Sequence, residues 1–86
     1  MSAELRVRVH VLDAWDEVVM ELPASTSIAS IKQQALAAAH VAGDPDEFLV
    51  KFRGAELRDQ SRSLADEEVP ADGALIVMRR HRVAVR

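Results

Sequence analysis

The chain has 86 residues, of which 49% are hydrophobic and 29% charged, and its net charge at pH 7 is −3. This length suits one small domain with one core, and the composition is that of a soluble globular protein. Cysteine is absent, which excludes disulfides and thiolate chemistry and fits a reducing compartment. No apolar run approaches the roughly 20 residues that span a bilayer, and the amino-terminal residues lack a secretory pattern. We therefore expect a cytoplasmic protein, or a cytoplasmic domain of a longer one, with no membrane insertion by this segment.

The first half of the chain predicts a hairpin followed by a helix. Strict alternation of apolar and polar residues over residues 5–11 and 17–22 is typical of two half-buried strands, with Trp15 in the turn between them. Ser27 is well placed to cap a helix over residues 28–40, which Gly43 and the Asp44-Pro45 pair should stop. One face of this helix carries an apolar stripe that needs a sheet to pack against: Ile28, Ile31, Ala35 and Leu36.

The second half predicts shorter strands. Residues 48–52 alternate again, Arg53-Gly54-Ala55 reads as a turn, and residues 56–58 predict a very short strand. A helical turn over 63–67 and a turn at Asp72-Gly73 precede the last core strand, residues 74–78. Together these elements predict an α+β roll with the helix across one sheet face. We expect a single domain, residues 1–86, with its core at about 4–79 and a basic tail at 80–86.

These residues and their spacing resemble the ubiquitin-like β-grasp family over nearly the whole chain. The helix entry at 24–28 with Ile31 and Lys32 is similar to the helix start of the family, and residues 45–57 resemble its strand–turn–strand. Further along, matching positions are Asp59, Leu64, Asp66, Val69, Leu75 and Val77. The resemblance implies a mixed sheet in the strand order 2-1-5-3-4.

The resemblance also allows a test for conjugation to other proteins. Family members that are conjugated end in Gly-Gly, whereas Val83 and Ala84 occupy those positions here and no glycine follows Gly73. We therefore expect a protein that is not conjugated. Only Lys32 and Lys51 could accept a modifier.

The sheet face turned away from the helix is the predicted binding surface. In ubiquitin this face carries an apolar patch whose central isoleucine corresponds to Lys51, so ubiquitin's usual partners are not expected. Leu49, Ile76 and Met78 would form a rearranged apolar group, surrounded by the basic residues Arg6, Arg8 and Arg80. Such a surface favours a protein partner with an apolar anchor and acidic flanks, although a merely solvated face is the alternative.

Trp15 leaves two interpretations open. It either contacts partners from the hairpin tip or folds back over Val18 or the tail.

Other chemistry is not indicated. The histidines, His10, His40 and His81, lack metal-ligand spacing, and Ser27 and Asp66 are better explained as helix caps than as catalytic groups. We predict no enzyme activity, no metal and no cofactor. Nucleic acid is not an expected partner, because the arginines at 79, 80 and 82 lack interleaved aromatics in an acidic chain.

The favoured function is a non-conjugated ubiquitin-like protein–protein interaction module. The preference for alanine, valine and arginine suggests a bacterial genome, and small bacterial relatives without the diglycine are linked to type VII secretion. One alternative is a ubiquitin-like modifier or a component of a bacterial conjugation system. Another is a small non-catalytic subunit of an enzyme complex.

Overall fold

The computed structural model describes residues 4–80, which form a five-stranded mixed sheet with one α-helix packed on one face. The regular elements are β1 (Glu4–Val11), β2 (Asp16–Pro23), α1 (Ile28–Ala38), β3 (Phe48–Phe52), β4 (Ala55–Glu56) and β5 (Gly73–Arg79). Two short 3-10 helices, Leu12–Ala14 and Pro45–Glu47, precede β2 and β3. The order of strands across the sheet is β2-β1-β5-β3-β4, which confirms the predicted topology.

The centre of the sheet is a parallel pair made by β1 and β5. Val9 lies opposite Leu75 in this pair, and Val11 lies opposite Val77. The other neighbours are antiparallel: β1 with β2, β5 with β3, and β3 with β4. A parallel connection requires a crossover, and the chain between β2 and β5 supplies it by way of α1, β3 and β4.

The core lies between α1 and the face of the sheet that carries the alternating valines. All four residues of the predicted helix stripe are buried, as are Phe48, Leu57, Leu64 and Val69. Of the residues predicted to face inward, Val7, Val9, Val50, Leu75 and Val77 are fully covered. The remaining five are half-buried and pack against the core from its margin: Leu5, Val18, Met20, Leu22 and Phe52.

The helix begins as predicted but ends two residues early. The Ser27 hydroxyl accepts a hydrogen bond from the Ser30 N–H at 3.2 Å, which caps the first turn. At the other end His40 takes a left-handed conformation with φ of 59°. The Val41 N–H bonds the Leu36 carbonyl at 2.9 Å and the His40 N–H bonds the Ala37 carbonyl at 3.1 Å, a Schellman arrangement. The prediction that the helix reaches 40 and stops at Gly43 was therefore wrong, because a histidine takes the position that usually holds glycine.

The hairpin of β3 and β4 turns through two residues. Arg53 and Gly54 both have positive φ, 54° and 82°, as a type I′ turn requires. The predicted strand at 56–58 is instead Ala55–Glu56. Leu57 turns into the core, while its N–H still bonds the Val50 carbonyl at 2.8 Å.

A hydrogen-bonded turn occupies the predicted helical turn at 63–67. The Ser63 hydroxyl accepts from the Asp66 N–H and the Asp66 carboxylate accepts from the Ser63 N–H, each at 3.1 Å. This reciprocal pair is the pattern of a capping box. It accounts for Asp66 as a capping residue of this turn.

Candidate protein-binding face

The outer face of the sheet brings the predicted apolar residues together. Leu49 on β3 lies directly opposite Met78 on β5, and Ile76 lies between His10 on β1 and Lys51 on β3. Residues directly opposite in a sheet have side chains close enough for contact. Leu49, Ile76 and Met78 are each half-buried, so they retain surface that a partner could cover.

Trp15 stands beside this group and is 90% exposed, which excludes the interpretation that it folds back over Val18. A shallow depression of about 380 Å³ separates Trp15 from Ile76, and Leu12, His10 and Glu17 also line it. Leu12, at 37% exposed, was missed by the sequence analysis. We call the following five residues the outer strip: Leu12, Trp15, Leu49, Ile76 and Met78.

The hairpin loop that carries Trp15 is held by contacts on both sides. Trp15 has left-handed backbone geometry, with φ of 51°, and its N–H bonds the Leu12 carbonyl at 3.1 Å. Arg79, at the end of β5, pairs with Asp13 of the same loop at 3.1 Å and with Glu47 at 3.0 Å. Its guanidinium also lies 4.6 Å from the centre of the Phe48 ring. Arg79 thus connects this loop to Glu47, directly before β3, and the indole is left in solvent.

Acidic side chains neutralise most of the predicted basic surround. Glu21 on β2 pairs with Arg6 at 3.4 Å, and Glu17 lies 3.9 Å from Arg8 and 3.6 Å from His10. These acids were overlooked because β2 was read only for its inward residues. Exposed pairs of this kind contribute about 0–1 kcal/mol each, so their main effect here is on the local charge.

Lys51 differs from the other cations of the outer face. Across the strand pair from Lys51 lies Glu56, but its carboxylate is 3.2 Å from Arg80 and 3.8 Å from Arg58. Among residues 4–80, no carboxylate lies within 4.0 Å of the Lys51 ammonium and no group accepts a hydrogen bond from it. Arg53, in the turn that follows β3, lies over the Phe52 ring at 4.9 Å. Within residues 4–80, Lys51 therefore forms no ion pair and lies next to the outer strip.

Lys32, the second lysine of the chain, is buried in α1. Only 3% of it is exposed, and its Nζ donates to the Phe48 carbonyl at 3.1 Å. Burial lowers the pKa of Lys32 from 10.5; Asp46 and Asp44 oppose this shift, whereas Arg80 adds to it. The expectation that Lys32 could accept a modifier was therefore wrong, because its amine faces the protein interior.

The histidines of the described residues belong to no group of metal ligands. No three His, Asp or Glu side chains among residues 4–80 are grouped so as to hold a metal ion. His10 lies on the outer face and His40 at the end of α1, whereas His81, Val83 and Ala84 lie outside the described residues. No helix within 4–80 is long and apolar enough to cross a membrane.

The arrangement of strands and helix is shared with solved structures. A ubiquitin-like domain from Arabidopsis thaliana superposes with a TM-score of 0.75 at 14% identity, over 98% of this chain and 85% of that one. Ubiquitin from Caldiarchaeum subterraneum gives 0.78 at 11% identity, over 95% and 100%. The chain has the ubiquitin-like β-grasp fold.

Other comparisons agree with this assignment or find nothing. A designed protein based on ubiquitin superposes on the ubiquitin-like fold of this chain with a TM-score of 0.77 at 12% identity, covering 98% of each chain. No family model matches the sequence, and no curated protein resembles it significantly. Identity at this level shows the fold alone, so function has to be argued from the side chains of the outer face.

Proposed function

We propose that this ubiquitin-like domain is a non-conjugated protein-interaction module whose outer strip binds a partner protein. The observation that supports this most is the exposure of Trp15 beside the depression that it forms with Leu12 and Ile76. Tryptophan is among the residues that most often dominate binding energy at interfaces. Covering such a side chain and its neighbours would contribute about 25 cal/mol for each Å² of apolar surface removed from water.

The charges on this face specify the chemistry of the partner. Because Arg6, Arg8 and Arg80 already face carboxylates, an acidic partner would gain little from them. Lys51 has no such carboxylate within residues 4–80, so a partner acid placed there would form a new ion pair without breaking one. The proposed partner therefore offers an apolar anchor for the depression and one carboxylate for Lys51. In place of the acidic flanks predicted from the sequence, the proposed partner needs an acidic residue at only one position, opposite Lys51.

Conjugation is not part of this proposal. Val83 and Ala84 stand where the resemblance places the glycines of conjugated family members. A modifier would form a thioester with a cognate activating enzyme and ATP. The proposed module forms no such adduct, which intact-mass measurement of the incubated proteins would establish.

Selection from a random peptide library displayed on phage tests the binding proposal. The wild-type domain serves as bait, and an Ile76→Asp, Met78→Asp variant serves for counter-selection. We expect enriched peptides to combine an aromatic or large aliphatic residue with Asp or Glu. We further expect Trp15→Ala and Lys51→Glu each to weaken their binding at least tenfold, as measured by titration calorimetry.

A control variant distinguishes effects on peptide binding at this face from effects of substitutions elsewhere on the surface. Gln33→Glu changes an exposed position on α1, on the opposite face of the sheet from the outer strip, and should alter the affinity less than twofold. Peptides that bind the wild type and the Ile76→Asp, Met78→Asp variant equally well would overturn the proposal, provided that circular dichroism shows the variant to be folded.

The cellular location and the source of the protein are proposed from its sequence. We propose a cytoplasmic location, a bacterial source and an association with type VII secretion. A non-catalytic subunit of a larger enzyme would instead co-purify with that enzyme in constant ratio. Affinity purification from the native host, followed by mass spectrometry, distinguishes these settings.

A further inference from the structure

The two lysines of the chain lie in opposite environments. Lys32 is 3% exposed and its amine is engaged with the Phe48 carbonyl at 3.1 Å. Lys51 is half-buried on the outer face, where the described residues provide neither an acidic partner nor a hydrogen-bond acceptor for its amine. A reagent that attacks amines would therefore meet one free lysine side chain and one that the fold protects.

The surroundings of Lys51 determine what a modification there would do. Leu49 precedes it by two residues on the same side of β3, and Ile76 lies directly opposite on β5. Met78 lies opposite Leu49, so these three apolar residues are the register neighbours of Lys51 on the outer face. Lys51 therefore borders the apolar group, and loss of its charge would extend the apolar surface.

We propose that Lys51 is an acyl-acceptor site and that its acylation removes the charge beside the outer strip, which extends the apolar surface there. The acyl donor belongs to the class of acyl thioesters. The unprotonated Lys51 amine attacks the thioester carbonyl, a C–N bond forms, and the C–S bond breaks. The thiol leaves, and the proton of the former ammonium passes to solvent. The product is a neutral amide that keeps the length of the side chain and cannot pair with a carboxylate.

The consequence for binding rests on the proposed function. A partner selected for its carboxylate would lose the ion pair at Lys51, whereas a purely apolar partner would gain contact area. Acylation thus exchanges one class of partner for another at the same face.

Acetylation of the folded protein tests the acceptor site. The whole chain is incubated with acetyl coenzyme A at pH 8, and the modified residues are located by peptide mapping. We expect Lys51 to be acetylated at least tenfold faster than Lys32, and this ratio to approach one in concentrated urea. Equal rates at the two lysines in the folded chain would overturn the proposal.

Binding of the neutral dye Nile red tests the switch without any partner. We expect Lys51→Gln and the acetylated protein to increase dye fluorescence at least twofold, whereas Lys51→Arg does not. Adding Ile76→Asp to Lys51→Gln should remove the increase. An unchanged signal in Lys51→Gln would overturn the switch.

The acylation proposal and the proposed function can fail separately. If peptides bind as described above but Lys51 resists acetylation, only the acylation proposal fails. If Lys51 is acetylated and no peptide binds, only the proposed function fails.

Discussion

Lys32 is a charged residue that the helix places on its buried side. It lies four residues after Ile28 and four before Leu36, so helical spacing puts it on the edge of the apolar stripe. Its aliphatic stem is covered and its amine reaches the Phe48 carbonyl at the start of β3. The side chain thereby joins α1 to the sheet, at the expense of removing an ammonium from water.

Replacing Lys32 with methionine should change how stability depends on pH. The pKa of Lys32 is lowered by burial in the folded state, whereas the unfolded chain has the ordinary value of 10.5. Between these two pKa values the unfolded state binds more protons than the folded state, so the free energy of unfolding rises with pH. Below the pKa of the folded state the lysine is charged in both states, and the destabilisation caused by burying its charge is complete. We expect the wild type to gain stability relative to Lys32→Met as the pH rises toward 10.5.

Urea denaturation at a series of alkaline pH values measures this difference. Arg58→Met is the matched control, because it also replaces a cation by methionine but at an exposed position. A constant difference between wild type and Lys32→Met across the series would contradict the assignment.

Single residues of the candidate site were predictable to different degrees. Leu49, Ile76 and Met78 followed from alternation along their strands, which fixes the face but not the neighbour. Trp15 could not be placed, because its exposure depends on the left-handed turn and on the Asp13–Arg79 pair across 66 residues of sequence. Such long-range pairs leave no local pattern.

The end of α1 is the element where local chemistry and structure disagree most. His40 occupies a left-handed position that favours glycine, at a cost of roughly 1–2 kcal/mol for an L-residue with a side chain. Both Schellman hydrogen bonds are nevertheless formed there. The loop that follows must lead to the turn at Pro45–Glu47, and this connection fixes the end of the helix.

His40→Gly should therefore raise the free energy of unfolding by about 1 kcal/mol, since glycine takes this conformation without a steric penalty. Thermal and urea denaturation of the variant would measure the gain. Ala39→Gly, one residue earlier and at φ of −88°, should instead lower stability by about 0.5–1 kcal/mol. A loss in both variants would show that the His40 side chain makes a contribution larger than the backbone cost.

The elements themselves were largely predicted by periodicity. Period-two alternation identified β1, β2, β3 and β5, and the stripe at helical spacing identified α1. The boundaries of α1 and β4 differed by one or two residues because hydrogen bonding at their ends, rather than hydrophobicity, decides them. Only the resemblance to ubiquitin supplied the strand order, since pairing of β1 with β5 joins distant parts of the chain.

At the scale of the whole molecule, Trp15 is an unusual spectroscopic probe. It is the single tryptophan and is 90% exposed, so its surroundings change little when the chain unfolds. We expect the emission of the folded protein to resemble that of the denatured protein, while far-ultraviolet circular dichroism shows a cooperative transition. Binding of a selected peptide should shift the emission to shorter wavelength, because the indole leaves water.

Fluorescence and circular dichroism recorded on the same urea series compare the two signals. Trp15→Phe should remove the emission and leave the dichroism transition within about 0.5 kcal/mol of the wild type, as for other surface substitutions. A large blue shift of the free folded protein would contradict the exposure of Trp15.

The edge strand β2 has a consequence for how copies of the protein meet in concentrated solution. Two β2 strands aligned antiparallel about Val19, which is 54% exposed, would bring Glu17 of each copy opposite Glu21 of the other. Like charges directly opposite destabilise a strand pair, so pairing of two β2 edges in this register is disfavoured. The opposite edge, β4, offers only two residues for such pairing. The acids that neutralise the arginines of the outer face thus also protect the sheet from extending itself.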